Sequence, residues 1–297
     1  MYQLYTSNYG EVGTFESLHV LKEHGYRSTF ISTQDTKHFE MKQRLKEAGF
    51  DDIVDGEDLS YVQYPNDYKL KGYTDAISEV LQRGRSFIHI LNSQTHSRYS
   101  VEKKEKYNRY KNNEDKGRYL NAVDESLDIV YDMLVALQAD GVLDNTMVIL
   151  TGDHGQSFGE EGYFTHSCAT VNPQVKIPLC IFNRHLPMLE AEEASLMDLL
   201  PTISDLLGVE QPLAHKDGLN FATQQRNYLF MYSETRGYNS PSNLCVLRKN
   251  KKYYVDLLKS EARILDIDDK EYTGEKLKGD EIRQIVFAAA SKHKVLD

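Results

Sequence analysis

The segment Thr151-Gly152-Asp153-His154-Gly155 sets a carboxylate beside an imidazole at the end of the apolar run TMVILT (146–151). Ligands of open α/β sheets bind at the carboxyl ends of the strands, which is where this pair falls. Neighbouring strand residues point to opposite faces, so Asp153 and His154 converge on one point only if the backbone leaves the strand there, and the flanking glycines allow that bend. A carboxylate oxygen with an imidazole nitrogen is a mixed hard and borderline donor set. It suits Zn²⁺ or Mn²⁺, and Mg²⁺ or Ca²⁺ less. An isolated DHG reads more simply as a turn capped by Asp153 with an ordinary loop histidine. Two further histidines alter that balance: His96 lies four residues past the strand-like SFIHILN (86–92), and His166 lies twelve residues past His154. Both fall on the carboxyl edge of the same expected sheet, so the four residues together read as one polar cluster for a metal and an anion. His89 sits inside the apolar run and reads as a core or interface histidine. His19, His24, His38, His185, His215 and His293 show no partner pattern.

Positioning such a cluster requires alternating helices and strands, and the chain supplies them. TFESLHVLKE (14–23) is a capped helix stopped by Gly25. STFIS (28–32) reads as a strand, 36–48 as a charged helix closed by Gly49, and FDDIV (50–54) as a short extended piece. Asp55 to Tyr73 reads as an acidic surface loop, and TDAISEVLQRG (74–84) as a capped helix feeding SFIHILN, whose continuous apolar character suits a buried parallel strand. Residues 101–118 hold seven bases and four acids. They read as a solvated loop or helix start, with a basic rim that steers an anionic substrate as the second reading. From 119 to 139, Leu120, Val123, Leu127, Val130, Leu134 and Leu137 recur at helical spacing as one apolar stripe. KIPLCIF (176–182) reads as a core strand, and SLMDLLPTISDLLG (195–208) as an amphipathic helix kinked or restarted at Pro201. From Tyr228 the segments YLFMYSE, LCVLRKN and KKYYVDLL alternate as antiparallel strands do, and a helix over 280–292 closes the chain. The expected fold is a central, mostly parallel sheet between helices (1–225), followed by a small antiparallel β subdomain (226–297).

Composition narrows the function classes. At 297 residues with 40% hydrophobic content the chain can bury a large core. A net charge of −10 and a pI near 5.5 argue against general binding of nucleic acid. No apolar run approaches the ~20 residues that span a bilayer. Three widely spaced cysteines (Cys168, Cys180, Cys245) without a CxxC argue against a disulfide framework or a thiolate zinc site.

The stretch YLNAVDESLDIVYDMLVALQADGVLDNTMVILTGDHGQSFGEEGYFTHS, followed by QVKIPLCIF, resembles the sulfatase-like branch of the alkaline phosphatase superfamily. That branch includes the phosphoethanolamine and phosphoglycerol transferases. The similarity rests on the long helix, the DNT turn, the GDHG motif, the GE-x-G loop with a following histidine, and the KIPL strand. It extends through MDLLPTISDLLGVEQP and DGLNF and covers about residues 10–270.

The resemblance implies an alkaline phosphatase-like fold and a divalent metal held by Asp153 and His154. It implies that His166 contacts the phosphoryl or sulfuryl oxygens, or a second metal, and that His96 is a substrate-side histidine. The substrate would be a phosphate or sulfate ester, lipid- or glycan-linked, with an extracytoplasmic or membrane-associated setting if an upstream segment exists. Here the family's H-x-P-Y reads HSRY, without the proline. The family mechanism uses a Ser, Thr or modified Cys nucleophile held on the metal. That residue, with its strand and carboxylate, has no clear counterpart, because LYTSNYGEVGTF already resembles the region beyond it and only Thr6 and Ser7 lie nearby. The catalytic nucleophile is therefore unknown, and an N-terminally incomplete, weakly active domain is expected. No C/S-x-P-x-R stretch is present, and GYFTHS tilts the reading toward phosphoryl chemistry. The alternative is a catalytically dead sulfatase-like domain that binds an anionic glycan or lipid headgroup.

Overall fold

Short alternating helices and strands build the first half of the chain. In the computed structural model the described residues are 16–34, 36, 40–56, 67–111, 114–186, 193–209, 218–234, 241–274, 276–293 and 295. Thr6, Ser7, Thr14 and most of the expected acidic loop (57–66) lie outside them. The chain divides into two compact units. One comprises Met1–Val148, Phe182–Leu186 and Leu206–Ala214, and the other Ile149–Ile181, Pro187–Asp205 and His215–Asp297.

In the first unit the order is α1 (Glu16–Glu23), β1 (Arg27–Ser32), α2 (Met41–Ala48), β2 (Asp52–Val54), α3 (Tyr68–Arg83), β3 (Ser86–Leu91) and α4 (Glu114–Ala139). The strands form a parallel sheet in the order β2-β1-β3. Central β1 buries five consecutive residues, as a strand covered on both faces must. Gly49 closes α2 in a left-handed turn (φ 108°) that strains any residue with a Cβ. Ile31, Leu70, Ile77, Ile129, Met133 and Leu137 form the core here. Truncating any one of these aliphatic side chains to Ala costs about 2–5 kcal/mol.

Three expectations are corrected in this unit. The loop read over Asp55–Tyr73 is helical from Tyr68, because Asp67 and Leu70 are buried and nucleate α3 upstream of Thr74, whose hydroxyl bonds back to the Leu70 carbonyl. β3, the edge of its three-stranded sheet among the described residues, is half-buried at all six positions. On α4, Leu127 is 50% exposed, and the buried face runs through Ala122, Glu125, Ser126, Ile129, Met133 and Leu137. Apolar residues lie on more than one side of α4, so periodicity alone could not select the face. The selected face carries polar groups whose hydrogen bonds are satisfied inside.

The second unit continues with β4 (Val148–Thr151), which begins at its border, then β5 (Ser157–Phe158), β6 (Phe164–Thr165), α5 (Asn172–Val175), β7 (Leu179–Phe182) and α6 (Leu199–Leu206). β4 pairs with β7, and β5 with β6 as a small antiparallel hairpin. β7 was expected to be a core strand, but three of its four residues are exposed, since the pair β4-β7 is a two-stranded ribbon among the described residues. A 3-10 turn over Leu196–Asp198, with a Ser195/Asp198 capping box, precedes α6, so the helix restarts just before Pro201. β8 (Leu229–Glu234), β9 (Pro241–Arg248), β10 (Lys251–Asp256) and β11 (Glu261–Asp266) form the expected antiparallel meander. α7 (Gly279–Lys292) covers one face through Ile282, Val286 and Ala290 against Leu244, Val255 and Ile264. No helix among the described residues is long and apolar enough to cross a membrane.

Candidate metal and anion site

β4 ends at Thr151, whose hydroxyl donates to the Pro178 carbonyl (2.9 Å) and fixes the exit of the strand. The backbone then turns. The His154 amide bonds Asp153 Oδ1 (2.9 Å), which leaves Asp153 Oδ2 3.6 Å from His154 Nε2. The His154 ring is oriented from its other side, with Nδ1 2.8 Å from the Gly155 carbonyl. A carbonyl can only accept, so Nδ1 is the donor here and Nε2 is the ring nitrogen that faces the carboxylate. This is the arrangement in which a metal-ligating histidine is held by an outer acceptor.

Gly152 and Gly155 were expected to supply backbone freedom, yet neither adopts a left-handed conformation. Gly155 is needed for space: a Cβ there would sit 2.1 Å from the Pro173 carbonyl oxygen, and its amide donates to the Gln174 carbonyl (2.8 Å).

The hairpin β5-β6 brings His166 to the same place. Its imidazole stacks on that of His154, with centroids 4.1 Å apart and planes at 26°. His166 Nδ1 lies 2.8 Å from Gln156 Oε1 and repeats the tautomer logic of His154. Thr165 (φ 68°) and Ser167 (φ 62°) hold His166 between two left-handed residues, and for a β-branched threonine that conformation is strained.

Gln174 ties the strained turn down. Its Oε1 accepts the amides of Cys168 (3.1 Å) and Ala169 (3.0 Å), and its Nε2 donates to Ser157 Oγ (3.0 Å). The antiparallel sheet anchors the hairpin from below. The Tyr163 hydroxyl donates to Asp256 (2.9 Å), Asn243 reaches the Cys168 carbonyl, and buried Lys252 pairs with Asp269, which also takes the Asn172 amide.

Of the four expected site residues, the structure gathers Asp153, His154 and His166. His96 belongs to the other compact unit, exposed just past the carboxyl end of β3, with its amide on the Ser93 carbonyl. His89 is half-buried on β3: it packs on Phe30 (5.0 Å), and burial pushes its imidazole down to about 4. Gln156, Tyr163, Gln174 and Lys252 escaped the sequence reading. Only Gln156, adjoining the GDHG motif, carried any local signal.

A metal ion fits this donor set in kind, since Asp153 Oδ2 and His154 Nε2 face each other as one half of a coordination shell. The number falls short: among the described residues no group of three or more His, Cys, Asp or Glu side chains is arranged to hold a metal.

The fold is that of the alkaline phosphatase superfamily. A protein of that superfamily from Vibrio parahaemolyticus superposes with a TM-score of 0.72 at 18% identity, covering 98% of this chain and 70% of the other. The lipoteichoic acid synthase LtaP from Listeria monocytogenes gives 0.67 at 14% identity, covering 98% and 76%. The sulfatase family model matches residues 13–209, and the chain belongs to the sulfatase family. The low-salt glycan biosynthesis sulfotransferase Agl7 from Haloferax volcanii is 28% identical over 109 residues, which are 35% of this chain and 26% of that protein.

Proposed function

We propose that this chain handles phosphate or sulfate esters as a metal-assisted hydrolase or transferase of the sulfatase kind. Asp153 and His154 would hold the metal and His166 the ester oxygens, and His96, carried by the other unit, is assigned the role of a substrate-side histidine. The supporting observation is the convergence of Asp153 Oδ2, His154 Nε2 and the stacked His166 ring, with both imidazoles locked at Nδ1. A divalent ion there would polarise an ester oxygen. The protein's own contribution is to hold Asp153 and His154 face to face and to keep Nδ1 of both rings protonated. The reading assigns no nucleophile. Zn²⁺ and Mn²⁺ suit the donors better than Mg²⁺ or Ca²⁺. A lipid- or glycan-linked substrate belongs to the same reading.

The test is hydrolysis of p-nitrophenyl phosphate and p-nitrophenyl sulfate with and without Zn²⁺ or Mn²⁺. Metal-stimulated turnover that falls at least a hundredfold in Asp153→Asn supports the reading, and turnover that survives the substitution overturns it. The preferred ester separates phosphoryl from sulfuryl chemistry.

The small number of metal-type ligands among the described residues favours a second reading, a catalytically inactive domain that binds an anionic glycan or lipid headgroup. Binding of a sulfated oligosaccharide without turnover of either ester would select it.

A further inference from the structure

Helix α4 spends an unusual share of its inward face on one loop. Glu125, fully buried, accepts four hydrogen bonds: from the Tyr68 hydroxyl, from Gln94 Nε2, and from the amides of Glu102 and Lys103 (both 2.8 Å). The Tyr68 hydroxyl, a donor at neutral pH like any phenol, is pushed further above its ordinary range by burial and then by the Glu125 carboxylate. Gln94 is held a second time by buried Asp67, which accepts the Gln94 and Ser93 amides while its own amide donates to Gln94 Oε1. One turn earlier, Asn121 bonds both the amide and the carbonyl of Tyr110, and Gly117 lets that carbonyl approach to where a Cβ would stand 2.7 Å away. One turn later, Asp128 takes the Tyr107 hydroxyl and the Lys106 ammonium.

Between the two points that Glu125 pins, Gln94 and Glu102, the chain carries His96 and then two consecutive left-handed residues, Arg98 (φ 86°) and Tyr99 (φ 45°). Two such residues in a row cost energy that a solvated linker would shed by relaxing. A carboxylate removed from water is likewise tolerated only when its acceptors are fully used. The strained segment and the buried acid therefore belong to one device, and His96 is one of the side chains it exposes to solvent, with Ser97, Arg98 and Ser100.

We propose that Glu125 is a positioning residue for His96, clamping both ends of its loop so that the imidazole is presented in one orientation to an anionic ester. The role of His96 in this proposal rests on the functional reading above. The clamp itself does not. In Glu125→Gln, one of the two carboxylate oxygens becomes an NH₂ group that faces donors, so two of the four bonds are lost with little change in volume.

The experiment uses the full chain and two readouts. In the first, the His96 ring signal, assigned with His96→Asn, is followed by NMR in Glu125→Gln. It is expected to shift and broaden while the signals of His154 and His166 stay in place. In the second, kcat and KM for the better p-nitrophenyl ester are measured in a cycle of Glu125→Gln, His96→Ala and the double variant. A loss in kcat of about ten- to a hundredfold with KM little changed is expected, and the double variant should be no worse than His96→Ala alone.

An unmoved His96 signal in a folded Glu125→Gln protein, or additive losses, overturns the proposal. A displaced His96 signal in a protein that hydrolyses neither ester keeps the clamp and rejects the function. Gln94→Ala removes the bond to Glu125 and the bond from the Asp67 amide without changing any residue of α4. It must displace the same signal should Glu125→Gln not fold, and an unmoved signal there also overturns the proposal.

Discussion

The imidazoles of His154 and His166 lie face on face, 4.1 Å between centroids, although twelve residues separate them and each is fixed at Nδ1 by a different acceptor. Two rings so locked can change neither tautomer nor orientation independently of the turns that carry them. Their chemistry is therefore tied to the turns at 155–158 and 165–169.

Gln156 is the acceptor for His166 through Oε1, while its Nε2 donates to the Ser157 carbonyl (3.4 Å). In Gln156→Ala the His166 ring should lose its preferred tautomer, seen as averaged ¹⁵N shifts of the two ring nitrogens. Ester turnover should fall about ten- to a hundredfold, the usual loss on removing an outer partner of a site histidine. An unchanged ¹⁵N pattern would exclude this role for Gln156.

Gly155→Ala should destabilise the protein by about 1–3 kcal/mol, because its Cβ would overlap the Pro173 carbonyl, and the backbone must move to relieve it. Urea denaturation measures the loss. Gly152→Ala should cost less, since its Cβ meets the nearest atoms at 3.6 Å. Equal costs at the two glycines would argue against close packing as the cause.

Lys252 and Asp269 form a buried ion pair, 2.5 Å between Nζ and Oδ1, with side chains 3% and 7% exposed. Asp269→Ala leaves the buried ammonium without its counter-charge, with the neutral Asn172 Oδ1 still accepting from it, and should cost about 3–5 kcal/mol, whereas the double change Lys252→Met, Asp269→Leu should cost far less. Chemical denaturation of the three proteins distinguishes these outcomes. Because Asp269 also holds the Asn172 amide, the single variant should loosen the turn that carries Gln174 as well.

His89 makes stability depend on pH. Burial holds its folded value at about 4, below the ordinary value near 6.5, so the unfolded chain takes up a proton that the native state refuses. Stability from this group is full above about pH 6.5 and is lost as the pH falls from there towards 4. The loss is of order 2 kcal/mol once the partial exposure of the ring is allowed for. Urea midpoints across pH 7 to 4 should show the decline, and His89→Phe should flatten it.

What the sequence determined was local. Strand-end position, the Asp-His pairing and the GDHG motif marked Asp153 and His154, while turn chemistry and alternation placed the helices and the antiparallel meander close to where they stand. Each of these depends on neighbours along the chain, so a single sequence carries it. The inward face of α4 was a different matter. Leu127 and Ile129 are equally apolar, and only the packing of Ile129 against Ile31, Leu70 and Ile77 decides between them. Glu125 looked like a surface acid in a helix until its donors arrived from Tyr68, Gln94, Glu102 and Lys103. Gly155 looked like a hinge until Pro173, eighteen residues on, came against it. In each case the deciding partner is remote in sequence, and the energy of the contact exists only once the tertiary structure has removed water from between the two groups.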